Sequence, residues 1–226
     1  MALADYQALV DDLVRDDTGK IVIADRDEAI ARAVARYGKD RPRTKVEDAA
    51  APGGNKLNLP AGWQAGFSEL RSIEYPIGDT PATLLEQDSY GIYSTPTGDE
   101  IKIINAITAA QSVRVSYTIR HAVDATPADT IRADDREPVC CWAAALLLEQ
   151  LAAYFTGSSD SSIQADSVDR KSKGGEYAAR AGKLRKRYFD ELGIEERKNV
   201  AAGVVVDLDM ADSQGRDRLL HGRKFR

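Results

Sequence analysis

Apolar residues recur every three or four positions near the start of the chain, and this spacing predicts an amphipathic helix. Leu3, Tyr6, Val10 and Leu13 fall on one face of that helix. The polar and glycine-containing run 16–19 follows directly and ends it.

A second helix carries start and stop signals of its own. Asp25 is suited to be its N-cap, with Glu28 three residues later as in a capping box and Ile23 as a hydrophobic staple. Gly38 suits the left-handed residue that ends a helix, and the Arg-Pro-Arg run at 41–43 prevents the helix from resuming. Its apolar stripe consists of Ile30, Ala33, Val34 and Tyr37.

The middle of the chain changes to the two-residue period of β-strands. Residues 47–55 are rich in Ala, Gly and Pro, which predicts a loop or linker. Short β-branched and aromatic segments then alternate with turn-prone stretches, and about four such strands make one small antiparallel sheet. The predicted strands are 70–75, 90–93, 100–104 and 113–119.

Helical periodicity returns after Pro127. Residues 139–155 are almost wholly apolar, which is typical of a helix packed on several sides by a core or by neighbouring subunits. A last helix spans about 174–192 and is closed by Gly193. Its surface outside the apolar stripe is basic, with Arg180, Lys183, Arg185, Lys186 and Arg187.

The pattern therefore predicts an α+β fold, a four-helix frame with an inserted small antiparallel β-sheet domain and an extended C-terminal arm. The frame is divided between residues 1–46 and 127–193, and residues 47–126 form the linker and β-insert. Residues 194–226 form the arm, which has a strand-like patch at 204–208 and then becomes polar and basic.

Composition narrows the class of protein. With 43% hydrophobic residues among 226, the chain can bury a core, and a net charge of −5 gives no case for global nucleic-acid binding. The adjacent Cys140 and Cys141 point about 100° apart on a helix, as core thiols of a reduced intracellular protein do. We find no signal peptide, and the apolar run 139–148 is about half of a membrane span. We expect a soluble protein made in a cytoplasm.

The residues offer no constellation for catalysis. His121 and His221 have no Cys or carboxylate at metal-ligand spacing, and no G-x-S-x-G elbow occurs. The glycines after Pro52 lack the Lys of a phosphate loop. The N-terminal acids fit a solvated face, and Asp166 and Asp169 fit helix capping. The prediction is a protein that is not an enzyme and has no catalytic, cofactor-binding or metal-binding residues.

The order of several segments resembles the head–tail connector, or adaptor, proteins of long-tailed bacteriophages, the group related to lambdoid connectors and to those of gene-transfer agents. The likeness spans nearly the whole chain, and none of its motifs is catalytic. The segments that carry it are DRDEAI (25–30), ARY (35–37), RPR (41–43), SIEYP (72–76), TP (80–81), VRVSY (113–117), His121, CWAAALLL (141–148), QADSV (164–168), EYA (176–178), LGI (192–194) and HGR (221–223).

This resemblance implies a structural virion protein at the neck, assembled in the cytoplasm of a bacterial host. Twelve copies would form a ring on the portal protein and join the DNA-filled head to a tail-side stopper or tail-terminator protein. DNA would pass through the channel without specific binding, and no membrane would be involved.

Two sets of residues are the candidate contacts. The apolar excess of residues 139–155 suggests a ring interface at Trp142, Leu146, Leu147 and Leu151. The arm mixes large apolar with basic residues, the composition of a peptide that orders on a partner, here the portal. Its predicted portal-binding residues are Arg216, Arg218, Leu219, Leu220, His221, Arg223, Lys224, Phe225 and Arg226.

Two other functions remain open from sequence. A nucleic-acid-binding module is suggested by the basic face of the last helix together with the basic arm. A different virion part, such as a stopper or tail-completion protein, is the second alternative, although the helical frame argues against it because such proteins are often smaller and richer in β-structure.

Overall fold

The computed structural model describes residues 2–16, 18–96, 98–124, 129–157 and 173–195. These residues form an α+β fold with four helices and two three-stranded antiparallel sheets, which confirms the predicted class. The helices are α1 (Leu3–Val14), α2 (Ile23–Asp40), α3 (Arg136–Gly157) and α4 (Lys173–Leu192). The strands are β1 (Arg43–Ala50), β2 (Gly54–Leu57), β3 (Leu70–Glu74), β4 (Tyr90–Thr95), β5 (Gly98–Ile107) and β6 (Ser112–Ile119).

Helix α3 is the centre of the helical part and packs against α1, α2 and α4. Because α3 is apolar on nearly all sides, three companions are needed to bury it. Together with the turn before it, Ala133–Thr156 is long and apolar enough to cross a membrane by length and composition, and 56% of its most apolar window is buried inside the protein. The same composition is typical of a core helix covered by neighbours.

The connection between α1 and α2 is built on one carboxylate. Asp16 accepts hydrogen bonds from the backbone N–H groups of Thr18, Lys20 and Ile21 at 2.8–2.9 Å. Burial alone would raise the pKa of Asp16, but these hydrogen bonds and that of the Thr18 hydroxyl hold it below its usual value. The turn that the sequence predicted from polar and glycine residues is thus fixed by Asp16.

Helix α2 departs from its predicted ends. It begins at Ile23 after Val22, and no side chain caps it, so the assignment of Asp25 as N-cap is wrong. Asp25 instead lies in the first turn, where a negative charge favours the helix dipole. Gly38 does not end the helix, which continues to Asp40.

The β-part contains two strands that the sequence did not predict. The predicted loop 47–55 is wrong, because β1 and β2 occupy most of it. The single predicted sheet is also replaced by two, in the orders β1-β6-β3 and β2-β5-β4. The boundary predicted between residues 46 and 47 falls within β1.

The two sheets share one apolar core. Ile73, Val115 and Tyr117 of the first sheet and Ile101 and Ile103 of the second are buried in the same cluster. Tyr117 also packs on Trp63, with ring centroids 5.8 Å apart. The β-part therefore has a core of its own, distinct from that around α3.

The chain divides into two compact units, Met1–Gly193 and Ile194–Arg226. Gly193 has φ of +64°, the left-handed conformation that glycine adopts readily, and it ends α4 as predicted. Beyond Glu195 the second unit lies outside the described residues.

Candidate functional site

His121 stands where the chain returns from the β-part to the helices. Its Nε2 lies 2.9 Å from the carbonyl oxygen of Arg41, which precedes β1, and its Nδ1 lies 3.1 Å from Oγ1 of Thr130. The imidazole also packs on Tyr37, with centroids 4.8 Å apart. Because both ring nitrogens are engaged, His121 links the two ends of the insert and offers no free nitrogen to a metal or substrate.

Asp135 joins this junction to the helices. Its carboxylate accepts a hydrogen bond from the Tyr37 hydroxyl at 2.6 Å and two from the Arg41 guanidinium at 3.0 and 3.2 Å. The same guanidinium donates to the carbonyl oxygen of Leu192 at 2.8 Å, at the end of α4. One buried carboxylate and one arginine therefore hold α2, α4 and the start of α3 together.

The same tyrosine, aspartate and arginine grouping occurs twice more. Tyr6 donates to Asp129 at 2.7 Å, and Arg136 binds that carboxylate through two nitrogens at 2.8 and 2.9 Å. Tyr188 of α4 donates to Asp40 of α2 at 2.7 Å, and Arg36 pairs with the same oxygen at 2.8 Å. We call these three groupings the tyrosine clusters. Each brings together two or more elements of the frame.

The tyrosines of these clusters and the two cysteines have raised pKa values, which suits a role in packing rather than in catalysis. Burial, and then the bond to Asp135, raise the pKa of Tyr37 to about 12, and the pKa values of Tyr6 and Tyr188 are raised still more strongly by the same causes. Burial likewise raises the pKa of Cys140 to about 12 and that of Cys141 to about 11. Neutral phenols and thiols at neutral pH are poor nucleophiles.

The described residues contain no group of three His, Cys, Asp or Glu side chains that could hold a metal ion. Two acids of α1 have other partners, since Asp5 accepts from the Ala2 N–H at 2.8 Å and Asp11 pairs with Arg26. Asp166 and Asp169, which the sequence assigned to capping, lie outside the described residues.

The predicted ring residues fall into two pairs. Leu147 and Leu151 are only 1% and 2% exposed, so in this structure they pack inside the monomer rather than on its surface. Trp142 and Leu146 are half-buried. Trp142 packs on Tyr188 in a tilted arrangement, with ring centroids 5.0 Å apart. The ring interface at these four residues stays a prediction, and Trp142 and Leu146 are the two that a neighbour can reach.

Larger exposed apolar side chains lie elsewhere. In the helical part these are Val22 (55% exposed), Ile23 (69%) and Tyr154 (51%), and Val22 and Ile23 line a groove that also reaches Leu147. Lys20 places its ammonium 5.2 Å from the Tyr154 ring centroid. Sequence reasoning missed this apolar patch because Ile23 resembled a hydrophobic staple, whose side chain would be covered.

The basic face of α4 is largely engaged within the monomer. Arg185 pairs with Glu149 at 2.5 Å, and Arg187 pairs with Glu137 and Glu191, each at 2.5 Å. Arg180 donates to the carbonyl oxygens of Leu13 and Val14 at 3.1 and 3.2 Å, where it satisfies the C-terminus of α1. Three of the five basic residues that suggested nucleic-acid binding are thus paired with neighbouring acids or carbonyl oxygens. This pairing weakens the interpretation as a nucleic-acid-binding module.

The predicted portal-binding residues, from Arg216 to Arg226, lie outside the described residues.

No protein-family model matches the chain, and no curated protein matches it. The chain is similar to chains in three solved structures. "Neck of native GTA particle computed with C12 symmetry" is 14% identical, with 83% of this chain and 92% of that chain covered. "Neck of empty GTA particle computed with C6 symmetry" is 13% identical, with coverages of 81% and 87%. "Virion of native gene transfer agent (GTA) particle" is 14% identical, with coverages of 83% and 91%. Each TM-score is 0.27, which is too low to establish a common fold.

Proposed function

We propose that this protein is a head–tail adaptor: twelve copies form a ring on a portal protein and join the DNA-filled head to a tail-side stopper or tail-terminator protein. The protein belongs in this proposal to the neck of a virion and is assembled in the host cytoplasm. It performs no catalysis, and its two functional surfaces are a ring interface and a C-terminal arm.

The proposal rests on the architecture of the protein. A helical frame is interrupted between its second and third helices by a β-part, and segments that resemble adaptor proteins lie in both. Both ends of that insert meet at His121 and Arg41, whose side chain also reaches Asp135 and Leu192. Contacts between the two ends of the insert therefore join the two halves of the frame.

The buried polar groups support a structural role. In each tyrosine cluster the carboxylate is shared between a tyrosine and an arginine, and each of those three tyrosines is at most 1% exposed. Such satisfied networks fix one arrangement of helices, which a subunit of a symmetric ring requires. The paired arginines of α4 are consistent with a channel through which DNA passes without being held.

Substitution at Leu146 tests the ring. Leu146→Lys is expected to leave the monomer folded, because a lysine stem can cover apolar surface while its ammonium reaches water, and to prevent ring assembly on portals. The measurement is circular dichroism of the free variant and electron microscopy of variant and portal together. Leu147→Lys is the control and should unfold the monomer, since that position is 1% exposed. Full-sized rings from Leu146→Lys would remove this residue from the interface.

Deletion of residues 213–226 tests the portal contact. Leu220 and Phe225 offer apolar anchors beside arginines that can pair with portal carboxylates. Each arm binds weakly because ordering costs entropy, so twelve arms on one symmetric partner are needed for avidity. The truncated protein should stay folded and lose at least about tenfold in co-sedimentation with portals of the same phage.

The matched control keeps the composition of the arm and scrambles its order. If charge alone held the protein on portals, the scrambled chain would bind as the intact chain does. The double variant Leu220→Ala with Phe225→Ala should approach the deletion. Unchanged occupancy of portals by the deletion variant would contradict the role of the arm.

A nucleic-acid-binding module predicts the opposite behaviour in solution. Its affinity for duplex DNA would be measurable without any portal and would fall steeply with salt concentration. For the adaptor we expect no retention of the free protein on DNA at physiological salt. Strong salt-dependent binding that disappears with Lys183→Ala and Lys186→Ala would favour the module over the adaptor.

A further inference from the structure

Strand β4 is an edge of its sheet and lacks the features that usually protect an edge. It pairs with β5 in an unbroken antiparallel register from Tyr90↔Ile103 to Thr95↔Gly98. Its sequence, YGIYST, has no charge, no proline and no bulge. Such a strand presents a row of backbone donors and acceptors to any further strand.

The other sheet edges of the described residues are protected. The free side of β3 is already paired, since Leu85 donates to Ile73 and Tyr75 donates to Thr83, at 2.8 and 3.0 Å. Strand β2 has a register shift between Gly54 and Lys56. Strand β1 carries four charged side chains along its length. No backbone hydrogen bond from the described part of the chain reaches the outer side of residues 90–94.

The side chains on this edge are exposed and apolar. Ile92 is 42% exposed and Tyr93 is 48% exposed, although both lie in a regular strand. Lys102 of β5 lies opposite Gly91 and places its ammonium 3.2 Å from the Tyr93 ring centroid. Lys102 is exposed, and a Cβ at Gly91 would meet nothing within 4 Å.

One segment of the chain fits this edge. Residues 204–208, Val-Val-Val-Asp-Leu, are the strand-like patch of the arm, and valine is among the residues most favourable in strands. As a strand, Val204, Val206 and Leu208 would share one face, and Val205 and Asp207 the other. Val204, Val206 and Leu208 are apolar and could pack beside the exposed Ile92. On the other face, the Asp207 carboxylate has the charge opposite to that of the Lys102 ammonium.

We propose that residues 204–208 of a neighbouring copy add to β4 as a fourth strand of its sheet, with Val204 and Val206 on the side of Ile92 and Asp207 on the side of Lys102. A link from one copy's arm to the next copy's sheet is heterologous, and heterologous links form a ring where the rotation from copy to copy closes, as it would in the proposed twelve-membered ring. The chain from Gly193 to Val204 can span roughly 35 Å when extended. The inference rests on the proposed function in that the copies meet around a ring.

Disulfide trapping between copies tests it. Full-length protein with Ile92→Cys is mixed at high concentration with full-length protein of a different tag length carrying Val204→Cys, Val205→Cys or Val206→Cys, and is then oxidised. Opposed residues in neighbouring strands lie within disulfide range, and adjacent residues point to opposite faces. We expect mixed dimers from Val204→Cys or Val206→Cys at about five times the yield from Val205→Cys.

The control places the first cysteine on a protected edge. Val46 of β1 is 53% exposed. Val46→Cys, used in place of Ile92→Cys, therefore measures the disulfide yield that arises from random collisions between the arm and an exposed strand residue. The native thiols are buried and form no background, which oxidation of the unsubstituted protein verifies. Yields equal across the three arm positions, or no higher than with Val46→Cys, overturn the inference.

This experiment is separate from the portal test. If portals retain the protein while no alternating trapping occurs, the strand addition is wrong and the adaptor function stands. If trapping alternates as expected while portals do not retain the protein, the self-association stands and the adaptor function fails.

Discussion

Replacement of Asp135 by alanine is expected to lower the free energy of unfolding by about 3 kcal/mol, as is typical when one partner of a buried ion pair is removed. The change leaves the buried Tyr37 hydroxyl without its acceptor and removes two bonds from the Arg41 guanidinium. Arg41 keeps 35% of its side-chain surface exposed, so water screens part of its charge and the loss stays at the low end for a broken buried pair.

Urea unfolding followed by circular dichroism measures this loss, and Asp134→Ala is the matched control. Asp134 lies in the same short turn and is exposed, so its removal should change stability by less than about 0.5 kcal/mol. Asp135→Asn should fall between the two, because an amide still accepts from Tyr37 but carries no charge. Equal losses from Asp134→Ala and Asp135→Ala would contradict the role assigned to this cluster.

The tyrosine clusters show which part of the site a sequence does not reveal. Tyr37 and Asp135 are 98 residues apart, Tyr6 and Asp129 are 123 apart, and Tyr188 and Asp40 are 148 apart. Periodicity assigns Tyr6 and Tyr37 to core-facing stripes, which is correct, but it does not indicate which residue accepts a hydrogen bond from each hydroxyl. Such partners become visible only when the helices are packed.

The missed strands have a different cause. In β1 the half-buried positions are Lys45, Glu47 and Ala49, while the apolar Val46 is exposed. Burial therefore alternates along β1 with the two-residue period of a strand, but hydrophobicity does not. For this reason the sequence of the segment resembles that of a linker. Its pairing with β6, from Arg43↔Ile119 to Ala50↔Ser112, supplies the structure that local sequence does not specify.

Helix α3 was correctly predicted as a helix, but its sequence does not indicate which of its residues lie on the surface of the monomer. An all-round apolar helix does not indicate which side faces the monomer, so Leu147 and Leu151 could not be separated from Trp142 and Leu146 by sequence. The difference follows from the placement of α1, α2 and α4 around α3. The exposure of Val22, Ile23 and Tyr154 likewise depends on how the helices pack.

Alkaline pH is expected to unfold the protein through the same tyrosine clusters. In the unfolded chain a tyrosine has a pKa of about 10, whereas burial and carboxylate partners raise the pKa of Tyr37 to about 12 and raise those of Tyr6 and Tyr188 more strongly. The folded state therefore keeps protons that the unfolded state releases. Stability is fully present below pH 10 and falls as pH rises toward and through the folded-state values.

The size of the fall follows from the number of clusters. Between pH 9 and pH 11 each of these tyrosines removes about 1.4 kcal/mol, so the three together remove about 4 kcal/mol, a large share of a typical domain stability. Burial also raises the pKa of Tyr117, which adds to the loss of stability from the β-part.

Urea unfolding at several pH values measures how steeply the free energy of unfolding falls with pH, and Tyr37→Phe should reduce the contribution of the tyrosine clusters to this slope by about one third. Because that variant also loses a hydrogen bond, its stability at pH 8 is lower, and the slope with pH rather than the level is the informative quantity. A slope that is the same for Tyr37→Phe and the unsubstituted chain would show that the alkaline transition arises outside the tyrosine clusters.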